Sequence, residues 1–554
     1  MKRPKRLLDV ALLFLALLGF GTGFFFGGSV TPNRRKGRCG RATSEKVILN
    51  LSSESEITTL PQLERAFEPL TEADSSTSLR KLRKTASKIV NSKYYSVKGK
   101  TSRKANDHAV VKAMYAKARY KRSGIEGGGS GDAALERPPE RMKIALSIEG
   151  GGMRGCVSAG MVTAISYLGL RESIDCIYGS SAGCLIGAYF STNQLPWFGP
   201  EIYYDMLTFE GTGFIDGKRM LRSLGLGLAD PRLIKDVVRR RFGKPVFNLD
   251  YLLNKVVKVK KPLDWAKFLE MQETMPLHIV ASGLKSEKSV CFSKANGNFD
   301  SIDTLIECMW ASMLLPGIAG PPVTISKGRN IEQGDGSASG GGAAAAAAGK
   351  KSKKSKDGEQ FVDALVYEPI PYRSAINDGA THVLVLRTKP DGSNVLVKSS
   401  LFERMIMRRF WLRKLGLKRM FRWMSLQFHK KVYAEDVIYL NDKTKETRGS
   451  FEIKEGEPHV MAVAIPPGSP DVKRSETNRK EIFEGVKRGF AAAYDALVED
   501  ESLVGKGKEV ADEVFTNDIL ETYDPNVAGM GWEKWCSNNQ IDAFDSYKGY
   551  KQFD

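Results

Sequence analysis

Histidine and cysteine are scarce in this chain. Five histidines (His108, His278, His382, His429 and His459) are spread over 554 residues, which argues against a histidine-rich metal site. The seven cysteines stand singly, with no CxxC pair. A set that is odd in number and thinly spread argues against a disulfide framework or a zinc module. It suits small buried side chains instead. No internal repeat is present, and no cofactor or metal is expected. Acids are the minority charge: 64 Asp and Glu stand against 84 Lys and Arg, a net charge of +20. That balance favours a polyanion, either nucleic acid or an anionic membrane surface, without choosing between them.

The length allows one large core or two, and 42% hydrophobic residues suit a globular protein. The N-terminus opens with the basic "MKRPKR". An apolar run from Leu7 to Val30 follows, interrupted by Asp9 and a few small residues. This run is near the ~20 residues that span a bilayer and longer than a usual signal-peptide core. Residues 1–30 therefore read as a signal-anchor, with a signal peptide cleaved near Gly27–Ser29 as the alternative. The expected location is a membrane, through a single-pass N-terminal anchor, or the secretory and endomembrane pathway. Basic residues flank both ends of the run, so no orientation follows.

Residues 31–141 read as a helical pre-region and basic linker. A compact domain begins near Met142. "KIALSI", "IDCIY", "PLHIVAS" and "THVLVLRT" are strand-like; "GCVSAGMVTAISYLGL", "AGCLIGAYFS" and "PRLIKDVVRRRF" are helix-like. Such alternation predicts an α/β fold, a mostly parallel sheet with helices on both faces. A low-complexity insertion over 336–360 interrupts it and is expected to be disordered. Residues 391–500 read as basic amphipathic helices and a closing helix. In that helix Ile482, Val486, Phe490, Ala493 and Leu497 share one face. Residues 501–554 form a C-terminal extension.

"SIEGGGMRGCVSAG" contains G-x-G-x-x-G at Gly150, Gly152 and Gly155, between a strand and a helix. A dinucleotide-binding turn has this form, and Asp175 stands at a suitable distance. The ribose-binding acid should close the second strand, however, and Asp175 opens it. The end of that strand is "GSSAG", Gly179 to Gly183, followed by a helix. This is the setting of a nucleophile elbow, in which small residues allow a sharp turn and leave Ser181 exposed. N–H groups of Gly150, Gly151 and Gly152 can then converge on an acyl oxyanion. Arg154 either fixes that loop or favours the anion; an ordinary surface arginine is the alternative.

Together, "GGGMRG" and "GSSAG" resemble the glycine loop and serine elbow of the patatin-like phospholipase family. "ASMLLPGIAGPPV" (311–323) and "FVDALVYEPIPYRSAINDGATHVLVLRT" (361–388) resemble further family segments, in the same order. The resemblance spans about 142–390 and implies a three-layer α/β/α catalytic domain there. It also implies a Ser–Asp dyad, with Ser181 as nucleophile and Asp363 as the group that takes its proton. Gly150, Gly151, Gly152, Arg154 and Gly155 carry over as the oxyanion loop. One departure stands out: the family's D-G-G/A reads Asp363-Ala364-Leu365 here, while Asp335-Gly336 is the alternative site of the acid. The implied activity is hydrolysis of lipid carboxylic esters, of phospholipids or acylglycerols. Acyl transfer through the same acyl-enzyme, or an impaired lipid-binding protein, are the alternatives. The oligomeric state is open.

His429 and His459 follow Asp363 in hydrolase order but stand in no catalytic-looking loop. A surface or packing role is expected for both. Residues 401–433 hold ten Lys/Arg, one acid and interleaved aromatics. They read either as an interfacial helix on an anionic membrane or as packed amphipathic helices with a solvated basic face. No nucleic-acid-binding motif is present, and nucleic acid is not expected as a partner.

Overall fold

The computed structural model describes residues 108–123, 137–194, 199–217, 245–325, 358–393, 404, 407–445, 452–453, 456–524 and 537–538. The expected N-terminal anchor, the helix read at 231–242, Asp335 and nearly all of the low-complexity insertion lie outside these residues.

Eight strands form one sheet: β1 Ile144–Ile148, β2 Cys176–Ser180, β3 Leu277–Gly283, β4 Ser289–Phe292, β5 Val323–Ile325, β6 Glu359–Val362, β7 His382–Leu386 and β8 His459–Val463. The order is β5-β6-β3-β2-β1-β7-β8, with β4 also pairing β3. Strands β3, β2, β1, β7 and β8 are mutually parallel; β4, β5 and β6 join antiparallel.

The helices used below are α1 Ala109–Arg122, α2 Gly155–Tyr167, α3 Ala182–Ser191, α4 Ile302–Met313, α5 Lys418–Ser425, α6 Phe428–Thr444 and α7 Arg479–Leu497. Side-chain alternation along β1 separates two apolar layers. Ile144, Leu146 and Ile148 face one core, with Val157 and Ile165 of α2 and Phe490 of α7. Ala145 faces the other, with Val437 and Leu440 of α6. A strand covered on both faces must be apolar throughout, and every residue of β1 is buried. The fold is therefore α/β with helices on both faces of the sheet.

Helix α7 starts at Asn478, whose side chain accepts from the N–H groups of Lys480 and Glu481. Its five predicted core positions, Ile482 through Leu497, are all at 0% exposure, so the 3.6-residue spacing did report the buried face. The main core takes in residues on both sides of 142–390. Val110 and Met114 of α1 enter the main core, and Lys117 Nζ binds Asp175 at 2.5 Å. At the other end β8 pairs with β7, and α7 packs on α2. The insertion must end before Gly358, because Glu359 already pairs with Ile325.

Among the described residues of 401–433, Phe410, Trp411, Phe421, Phe428 and Tyr433 are buried. Met407, Trp411, Met420, Phe421 and Met424 form a third apolar cluster with Leu284, Leu314, Val362 and Val366. Trp423 Nε1 donates to Val366 O at 3.2 Å. Arg404, Arg408, Arg413, Lys418 and Arg419 are exposed. The described aromatics are thus committed to the core, and the packed-helix alternative describes this part of the segment. Among the described residues, no helix is long and apolar enough to cross a membrane.

Candidate active site

Strands β1 and β2 run in parallel with Ile148 beside Gly179. Their carboxyl ends therefore bring the glycine loop and the serine turn to the same edge of the sheet, where open α/β sheets bind ligands. Asp175 sits at the opposite end, accepting from Ile144 N at 2.8 Å and from Lys117. An acid there cannot meet a ligand held by the glycine loop, which removes the dinucleotide reading on geometry.

Ser181 links β2 to α3 with φ 51° and ψ −123°. A non-glycine residue in this region costs about 1–3 kcal/mol, and such strain is concentrated at functional sites. The flanking glycines have steric reasons. A Cβ on Gly183 would lie 2.2 Å from Ile148 O, so only glycine lets the turn fold back against β1. Gly179 lies within β2. The Ser181 side chain does not cap α3. Its Oγ instead meets Asp363 Oδ2 at 3.0 Å.

Two registers on β3 explain how residues so distant in sequence meet. Ser180 lies beside Val280, and Val362 lies beside Ser282. Ser181 and Asp363, each the next residue after its strand, are thus delivered to the same part of β3. Asp363 N donates to Leu314 O at 2.8 Å, and Asp363 Oδ1 accepts from Leu365 N at 2.8 Å. Burial pushes the carboxyl up to about 6, opposed by the bonds from Leu365 and Ser181 and by the Arg474 charge. Ala364 does not disturb this arrangement. Its φ is not positive, so the family's glycine is not required for backbone conformation here.

A residue not singled out from sequence holds the elbow. Ser312 of α4, fully buried, accepts from Ser181 N at 2.7 Å and donates to Val280 O at 2.6 Å. Beside it, Ser180 Oγ donates to Pro369 O at 2.6 Å and accepts from Gly150 N at 3.1 Å. The only available signal was the "AS" within "ASMLLPG", which carries no chemistry until the fold places it.

Gly150 thus spends its N–H on Ser180. Those of Gly151 and Gly152 make no bond to a described residue. Gly152 has φ +61°, and a Cβ there would lie 2.8 Å from Arg474 O. Met153 N donates to that same carbonyl at 3.0 Å, and Gly155 opens α2. Arg154 is buried, and its guanidinium forks onto Asp471 with two bonds of 2.8 Å while Nε also reaches Val472 O. Of the readings open from sequence, the structure supports Arg154 fixing the loop. Its side chain is engaged away from a developing anion.

Ser181, Asp363 and the three glycines line one cleft enclosing about 920 Å³ of empty space, counted with its open mouth. Leu185, Leu207, Phe214, Phe247, Leu249 and Leu252 give it apolar walls, as ligand sites commonly have. None of the five histidines lines it. His429 is buried on α6, and burial pushes its pKa down to about 3. His459 is buried on β8 and stacks on His382. Both pack rather than face the serine.

Residues 146–376 match the family model described as patatin-like phospholipase. The match supports lipid acyl hydrolase activity in general terms. The crystal structure of VipD from Legionella pneumophila is similar at 11% identity over 78% of this chain and 87% of that chain. Its TM-score of 0.26 is too low to carry an argument about the site. No curated protein sequence matches the chain.

Proposed function

We propose, on the premise that residues 146–376 form a patatin-like phospholipase domain, that this chain hydrolyses carboxylic esters of phospholipids or acylglycerols through an acyl-enzyme on Ser181. The observation that carries the reading is the 3.0 Å contact between Ser181 Oγ and Asp363 Oδ2 beside an apolar cleft.

The acyl chain lies along the apolar walls, with its ester carbonyl over Ser181. As Oγ attacks the carbonyl carbon, its proton passes to Asp363. The negative charge that develops on the carbonyl oxygen is met by the N–H groups of Gly151 and Gly152. Strain at Ser181 keeps the hydroxyl presented, and Ser312 holds its backbone. When the tetrahedral adduct collapses, the C–O bond to the alcohol breaks and Asp363 returns the proton to the leaving oxygen. Water then attacks the acyl carbon, Asp363 takes the water's proton and returns it to Ser181 Oγ as the acyl bond to Ser181 breaks, and the fatty acid leaves.

The test is labelling with a fluorophosphonate, which phosphonylates an activated serine, alongside release of fatty acid from phospholipid and diacylglycerol. Labelling and release that both vanish in Ser181→Ala are expected. A wild-type protein that neither labels nor releases fatty acid sinks the proposal.

A further inference from the structure

Besides Glu149 and Asp363, one charged side chain lines the cleft among the described residues: Arg474, a cation. It lies outside the matched family segment, on the stretch that follows β8. Its backbone is anchored where catalysis needs precision. Met153 N binds Arg474 O, and Gly152 has no room for a side chain against that same carbonyl. Its guanidinium makes no hydrogen bond or ion pair with any described residue. Arg474 is exposed to solvent while also lining the cleft.

The acids near Arg474, Asp363 and Glu149, attract it through space but make no hydrogen bond or ion pair with it. Glu149 Oε2 accepts from Thr388 N at 2.6 Å, Asp471 is taken by Arg154, and Asp363 holds Ser181. Lys389 adds a further cation, and burial together with Arg474 and Arg154 pushes its pKa down to about 7. With no partner among the described residues, the exposed guanidinium is left to water until a ligand supplies an anion. Its planar fork suits two oxygens of one phosphate. A neutral acylglycerol offers no such partner.

We propose that Arg474 is a specificity-determining residue, binding the phosphodiester of a glycerophospholipid whose ester carbonyl lies at Ser181. This rests on the lipid-ester reading of the same cleft. Selection arises because a phosphodiester can make charge-assisted bonds to the guanidinium that a neutral acylglycerol cannot.

The test uses the full chain carrying Ser181→Ala, so that binding is read without turnover. Affinities are measured for a diether phosphatidylcholine and for the matching diether glycerol, each in neutral detergent micelles. The phospholipid is expected to bind more tightly. Adding Arg474→Gln should lower the ratio of the two affinities about tenfold, and Arg474→Lys should recover part of it. A ratio that stays the same in Arg474→Gln, including the case where both ligands weaken together, overturns the proposal. Loss of fluorophosphonate labelling in the wild type would instead strike the hydrolase reading, so the two failures are distinguishable.

Discussion

Arg154 and Asp471 hold each other through two parallel 2.8 Å bonds, which tie the glycine loop after β1 to the segment after β8. The Arg154 side chain is 8% exposed and that of Asp471 is 44% exposed. Removing the carboxylate therefore strands a buried guanidinium. Asp471→Ala is expected to lower kcat roughly tenfold to a hundredfold through a displaced loop. Arg154→Lys should fail to restore the wild-type rate because lysine lacks the planar fork. Steady-state kinetics with a thermal melt checks both; wild-type kcat in Asp471→Ala would disprove the tie.

The protonation state of Asp363 sets a pH profile. Its carboxyl, pushed up to about 6 by burial, must be ionised to take the serine proton. Activity, followed as kcat/KM, should rise as pH increases through about 6 and level off above it. Stability moves the other way. The folded pKa lies above the unfolded value of 3.8, so folded protein binds the proton more tightly. That contribution is complete below 3.8 and is lost as pH rises through about 6, on the order of 3 kcal/mol in all. Asp363→Asn should accordingly melt higher than wild type at pH 8 while losing activity. A lower melting point at pH 8 counts against the shift.

Asparagine substitution also separates the two aspartates weighed from sequence. With Asp363 bonded to Ser181 Oγ, Asp363→Asn should lose about 1,000-fold or more in kcat. Asp335→Asn is expected to retain activity. Full activity in Asp363→Asn would reverse the assignment.

Ser312 gives a narrower test. Ser312→Ala leaves the Ser181 N–H without its 2.7 Å acceptor beneath a strained turn. A buried donor left unsatisfied costs about 1–3 kcal/mol. The expected outcome is a lower melting temperature and a kcat reduced about tenfold with KM little changed. A change in KM alone would mean that Ser312 shapes the cleft rather than the turn.

For the basic segment we expect charge, not aromatic insertion, to govern any attraction to anionic vesicles. Replacing Arg408, Arg413, Lys418 and Arg419 by glutamine should weaken flotation with anionic liposomes and make it less sensitive to salt. Trp411→Ala should act on the fold instead, costing about 3–5 kcal/mol, because Trp411 is 4% exposed in the third cluster. Flotation that survives the four glutamines unchanged refutes the electrostatic contact.

The central strands and both halves of the glycine–serine pairing were legible in the sequence, because they are local. An apolar run followed by "GGG" or "GSSAG" needs no partner to be read. Strand β8, "HVMAV", was not recognised, and neither were the three- and four-residue strands β5 and β6 beside the insertion. Runs so short acquire strand character only from the neighbour that pairs with them. The same reason hid Ser312 and Arg474. A serine inside a helix and an arginine in a polar loop carry no periodicity, and their positions depend on contacts with residues more than a hundred places away. The segment 401–433 stayed open for a different reason. Its pattern of aromatics among basics is amphipathic in either setting, and only Leu284, Leu314 and Val362 decide that the apolar side meets protein.

Pairing of Ile325 with Glu359 places the whole insertion between two antiparallel neighbours at the sheet's edge. For such a connection, the entropy of closing the loop grows only logarithmically, by about 0.6 kcal/mol for each doubling of length. The edge pairing itself is set by β5 and β6, and Asp363 follows β6 directly. Length between the two strands can therefore vary at little thermodynamic cost without moving the carboxylate. This chain can accommodate added or deleted sequence at that edge within a few residues of its catalytic aspartate.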